Sequence, residues 1–250
     1  MRPEGSATYL QAMTERAELG ESVPVEVRRS FERIRDLHVY GLFNYPFFTL
    51  AEDAAWLLPE SALGVRFIER YDGVVPFARG DERAALETRD FRTVAEAVSS
   101  RGRFSRRVNW HVVGHGHDRD GQSFDASYRA LMRWAHKEGL LTRWLQDRWQ
   151  AKGAGIRHAV LTAVNPPDYA VPADWGALDE EARERWWERW RRDTWEPDEM
   201  RVFVDLRNLI AHSPPGRLTS PVNSAAALAS VADFINALWP SAIPGESATE

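Results

Sequence analysis

Asp198-Glu199-Met200-Arg201-Val202-Phe203-Val204-Asp205-Leu206-Arg207-Asn208-Leu209-Ile210-Ala211-His212 is the stretch whose reading decides the fold. Val202, Phe203, Leu206, Leu209 and Ile210 recur at three- and four-residue steps, the period of an α-helix with one buried face. At about 100° per residue, Arg207, Asn208, Ala211 and His212 are expected on the opposite side. Val204 and Ala211, small apolar residues seven positions apart on that polar side, form the expected seam for a second helix. Ser213-Pro214-Pro215 stops the helix just beyond. The expectation is a helix that buries one face in its own chain and brings a polar cluster to a contact where two copies combine.

Arg207, Asn208 and His212 are the candidate catalytic residues. An always-charged guanidinium beside an imidazole can bind a phosphodiester and move protons around it. His212, titrating near neutrality, suits base or acid. Arg207 offers a planar fork of donors that matches phosphate oxygens, and Asn208 can orient either partner. Spacing alone does not single this pair out. With seven histidines and thirty arginines in the chain, roughly one Arg-x4-His pair is expected by chance. Three occur: Arg33/His38, Arg106/His111 and Arg207/His212. Only the third combines a following amide, an apolar stripe and a marked helix end. The plain alternative is a surface arginine with a histidine capping the helix C-terminus.

The segment Phe203-Val204-Asp205-Leu206-Arg207-Asn208-Leu209-Ile210-Ala211-His212 resembles the signature of the HEPN superfamily, an arginine, a polar residue, three further positions and a histidine. The resemblance implies an all-α helical bundle and a metal-independent endoribonuclease. Its site would form across a homodimer through the Arg207–His212 helix, in a toxin or antiphage (abortive infection) effector with a cognate antitoxin or defence partner. The helix expected from about Val222 to Trp239 is similar to the one that follows the motif in that family. Arg35 to Gly41 and Tyr45 to Ala51 resemble its first helices more loosely. Some toxins of the family carry a tyrosine two positions after the histidine, which a nucleotidyltransferase antitoxin modifies. Pro214 stands there in this chain, which sets it apart from that mode of control. A catalytically inactive HEPN-like module that binds RNA or protein is the alternative reading, and a purely structural helical scaffold is the third.

The absence of cysteine removes disulfides, thiolate metal sites and cysteine nucleophiles. No run approaches membrane-spanning length and Met1 to Ser6 lack an apolar signal region, so a cytoplasmic location with no membrane contact is expected. A net charge of −5 argues against a general nucleic-acid coat protein, whose affinity comes from neutralising phosphates. It leaves room for an RNase with a local basic cleft. No cofactor is expected. His111, His115 and His117 beside Asp118 have the donor types zinc uses, but their spacing matches no strong zinc pattern, and no metal is assigned.

The chain reads as a single domain, 1–250, with core helices at about 30–71, 125–149, 179–212 and 222–239 and a small irregular or β-hairpin insertion around 100–124. Pro46 must kink or divide the first region, and Pro59 is expected to break it again. Phe47, Leu50, Ala54, Leu57 and Leu58 form its expected apolar stripe. A short helix is expected over Asp90–Val98, and Asp125 or Ser127 should cap the next, which Gly139 closes. Trp186, Trp187, Trp190 and Trp195 alternate with arginines in the 179–195 helix; core packing is favoured there over an RNA groove, because Trp186 and Trp190 are i,i+4 partners.

Overall fold

A computed structural model of the chain describes residues 8, 10, 12, 14–15, 17–105, 110–113, 124–151, 175–193, 198–211 and 217–240, with the backbone alone at 148–151, 187–193 and 198–199. These residues are mostly helical, with one small antiparallel sheet. The helices are α1 (Val25–Tyr40), α2 (Pro46–Arg70), α3 (Phe91–Val98), α4 (Tyr128–Lys137), α5 (Thr142–Ala151), α6 (Glu180–Asp193), α7 (Asp198–Ala211) and α8 (Pro221–Leu238). The strands are β1 (Val74–Arg79), β2 (Glu82–Glu87) and β3 (His111–Val112). Within the span read from sequence as one domain, the chain divides into two compact units: residues 1–59 with 139–250, and residues 60–138. No helix among the described residues is long and apolar enough to cross a membrane.

The helix ends follow local chemistry. The Ser127 hydroxyl accepts from Ala130 N at the start of α4, the Asp90 carboxylate accepts from Arg92 N at the start of α3, and the Ser220 hydroxyl accepts from Asn223 N at the start of α8. Each satisfies a backbone donor that has no partner inside the helix. Pro221 at the first position of α8 and Pro46 opening α2 sit where a missing N–H costs nothing. Gly139, at φ +78°, takes the left-handed conformation that lets the chain leave α4 and turn into α5. Within the expected core spans, 125–149 holds α4 and α5 with the expected Gly139 break between them, 179–212 holds α6 and α7, and the 30–71 region divides at Pro46.

Pro59 does not break α2; it lies inside the helix, itself buried. The ring removes one bond of the ladder, and burial of Ala55, Trp56 and Leu58 around it holds the helix together. The expected stripe on α2 is rotated as well: Phe48, Ala51, Ala55 and Leu58 are buried, while Leu50 and Leu57 are exposed.

In the unit 1–59/139–250, α8 packs against α1 and α5. Its centre is a cluster of edge-to-face and tilted rings: Phe203 of α7 lies 5.2 Å from Trp56, 5.2 Å from Trp144 and 5.1 Å from Phe234. Trp186 of α6 is buried against Trp175; the side chains of Trp187 and Trp190, and Trp195 altogether, lie outside the described residues.

In the unit 60–138, Phe67 at the end of α2 sits among Phe91, Phe124 and Trp134, with centroids 5.0–5.3 Å away. The sheet has the order β2-β1-β3, with Val74 opposite Glu87, Arg79 opposite Glu82, and Phe77 opposite Val112. The hairpin therefore lies at 74–87, upstream of the 100–124 insertion, which contributes the short β3. Its two-residue loop puts Gly80 at φ +56°, the sign that hairpin turns matched to strand twist require. Pro76, inside β1, costs no ladder bond to β2. Thr88 N donates to Gly73 O, so residues 75, 77 and 79 face β2, and Pro76 turns its carbonyl to Val113 N.

Candidate functional site

α7 carries two of the three expected site residues. Its buried side is Met200, Phe203, Val204 and Ile210, while Val202 and Leu209 are 52% and 60% exposed. This corrects the phase read from sequence. The ring cluster around Phe203 and the full burial of Met200 turn the helix so that positions 200, 203, 204, 207 and 210 form the inward stripe. Val204 is covered by its own chain and is not a seam for a second helix; Ala211 is exposed.

Arg207 stands at the middle of the inward stripe rather than opposite it. It is half-buried, in line with Phe203 and Val204. Its guanidinium donates to the Asn208 Oδ1 at 3.3 Å, and Asn208 is exposed. The structure thus brings Arg207 and Asn208 together at the end of α7. His212 lies outside the described residues. So do His115, His117 and Asp118; His111 lies in β3, half-buried. Among the described residues, no group of three or more His, Cys, Asp or Glu side chains is placed to hold a metal ion.

The chain is tethered on the far side of the motif by contacts that sequence reasoning missed. Arg217 donates to Glu52 at 3.1 Å and to Asp53, the Thr219 hydroxyl donates to Glu52, and Thr219 N donates to Thr49 Oγ1 at 2.9 Å. All three partners are on α2. The network fixes the approach to α8 five residues beyond His212. Its members are more than 160 residues apart along the chain, so no local pattern announces it.

Arg33/His38, the rejected pair on α1, shows how little the spacing means. His38 is fully buried, its Nδ1 3.0 Å from Ser224 Oγ of α8 and its ring edge-on to Phe48. Burial lowers its pKa to about 4, so it is neutral at physiological pH. It is a packing histidine. A cleft of about 630 Å³ in the unit 60–138 is lined by Glu69, Asp72 and Glu87 with Arg89; three carboxylates against one guanidinium repel a phosphodiester.

No protein-family model matches the chain, and neither a curated protein nor a solved structure is significantly similar to it.

Proposed function

We propose that the chain is a HEPN-type, metal-independent endoribonuclease acting as a toxin or antiphage effector, with a site built from Arg207, Asn208 and His212 of two copies. The single observation that carries this reading is the Arg207–Asn208 pair. An anchored guanidinium leans on an exposed amide at the end of a helix whose next residue in sequence is His212. Arg207 would neutralise the scissile phosphate, Asn208 orient it, and His212 move the proton.

The contact between copies would use the exposed last turn of α7, Asn208, Leu209 and Ala211, in an isologous arrangement, in place of Val204/Ala211. The half-burial of Arg207 favours a second reading, a catalytically silent module that binds RNA or a partner protein.

Incubating the purified chain with mixed RNAs in EDTA separates the two. Cleavage that persists in EDTA and disappears in Arg207→Ala and His212→Ala, with helical content retained, supports the enzyme. Binding without cleavage supports the module. Full cleavage by Arg207→Ala removes the reaction from this site.

A further inference from the structure

Charge is unevenly divided between the two units. Residues 60–138 hold fourteen Lys and Arg against twelve Asp and Glu, within a chain of net charge −5. Between Glu96 and Asp118 the sequence has four arginines and three histidines and no carboxylate. What matters is which of those charges are already neutralised.

Arg66, Arg70, Arg79 and Arg92 each pair with a carboxylate, of Glu69, Glu138, Glu82 and Glu96. Arg83 is spent on the carbonyls of Gly80 and Glu82. Arg101 and Arg103 are exposed and, among the described residues, have no carboxylate partner. Arg103 is also held in place, its guanidinium carbon 5.0 Å from the centroid of the Phe104 ring. Phe104 is buried, stacked on Phe77 of β1 at 4.2 Å, and meets Trp110 edge-on at 5.2 Å. Trp110 is half-exposed, with the Arg79 guanidinium 5.1 Å over its ring.

Two uncompensated guanidinium groups two residues apart in the chain, one of them over a ring that meets the partly exposed Trp110 edge-on, match the chemistry of single strands: phosphates for the cations and a base for the indole. We propose that Arg101, Arg103 and Trp110 form a binding surface for single-stranded nucleic acid. Arg101 and Arg103 take backbone phosphates and Trp110 stacks a base. A packed ring under Arg103 lowers the entropy lost when its fork closes on a phosphate. The surface lies wholly within the unit 60–138 and owes nothing to α7, so it stands or falls independently of the nuclease reading.

Fluorescence anisotropy with labelled RNA and DNA 12-mers of one sequence tests this, in an Arg207→Ala background that removes the proposed cleavage. The expected result is saturable binding that weakens about tenfold in Arg101→Gln/Arg103→Gln. The salt dependence should become shallower by about 1.4 in log–log slope, the loss of two single-strand phosphate contacts. Trp110→Phe should keep most of the affinity and Trp110→Ala lose it. Equal affinity for RNA and DNA assigns recognition to the backbone and bases, and a preference for RNA adds the 2′-hydroxyl. Unchanged affinity and slope in the double variant, with its circular dichroism intact, overturns the proposal, as does equally strong competition by polyglutamate. A wild-type chain that binds but never cleaves leaves this surface standing and removes only the nuclease. Cleavage by a chain whose binding ignores Arg101 and Arg103 does the reverse.

Discussion

The two compact units use arginine in opposite ways. In the unit 1–59/139–250, Arg207 lies half-buried on the inward stripe of α7 and donates to Asn208. There eighteen basic residues face twenty-five acidic ones. In the unit 60–138, Arg101 and Arg103 stand exposed with no carboxylate partner among the described residues. A half-buried arginine on the inward stripe of a helix has its freedom limited by its own fold, whereas exposed, uncompensated guanidinium groups give charge that can meet a flexible polyanion. The lesson is that the count of arginines says little; what each one packs on and pairs with decides how much of its charge is free.

The sharpest way to break that contrast is at the helix face that would join two copies. Leu209→Glu, alone or with Ala211→Glu, should convert the protein to monomer by ultracentrifugation and cut RNA cleavage by about a hundredfold, the scale of losing one set of transition-state donors. The exposed positions leave the fold intact. Full activity in a monomeric variant would detach the site from any partner.

Next in size is the ring cluster that sets the phase of α7. Phe203→Ala should cost about 3–5 kcal/mol in urea unfolding, the range for a fully buried phenyl group. A loss under 1 kcal/mol would mean that Phe203 does not hold Arg207 in register.

Acid should act on the first unit through His38. Above about pH 6.5 the imidazole is neutral in both folded and unfolded chains and gives no pH slope. Below that, the unfolded chain takes the proton first, so stability falls with pH until the folded group titrates at about 4. The loss across this window is on the order of 3 kcal/mol. His38→Asn should flatten that slope in urea midpoints measured from pH 7 to pH 4; an unchanged slope would assign it to other groups.

The smallest effect belongs to the second unit. Gly80→Ala places a side chain at φ +56°, where nothing lies within 4 Å but the backbone itself is disfavoured. It should cost about 1 kcal/mol and leave cleavage unchanged. Loss of cleavage would tie the hairpin to the α7 chemistry.

Much of the secondary structure was legible in the sequence, and the reasons are local. Ser127, Gly139, Pro46 and Asp90 act through their own backbones and do where they stand what their chemistry dictates. Helical phase was not legible. On α2 and α7, apolar residues flank both sides of the wheel, so Leu50 and Leu57, or Val202 and Leu209, compete with Ala51 and Ala55, or Met200 and Val204, for the inward side. Tertiary packing around Trp56, Trp144, Phe203 and Phe234 makes the choice. The same rotation moved Arg207 from the polar side to the inward stripe. Pro76 concealed the hairpin because proline reads as a strand breaker unless the phase of the ladder is known. The clamp from Arg217 and Thr219 to α2 joins residues that no window along the chain contains together.

The claim at the centre of this account is that two copies of the chain complete one ribonuclease site. Mixing inactive Arg207→Ala with inactive His212→Ala, after confirming by mass-tagged subunits that the copies exchange, tests it most directly. The account predicts that the mixture recovers part of the wild-type cleavage of a defined RNA in EDTA, because each mixed dimer contains one complete Arg207/His212 set. A mixture that exchanges fully and still cuts nothing, while the wild-type chain cuts, would contradict it.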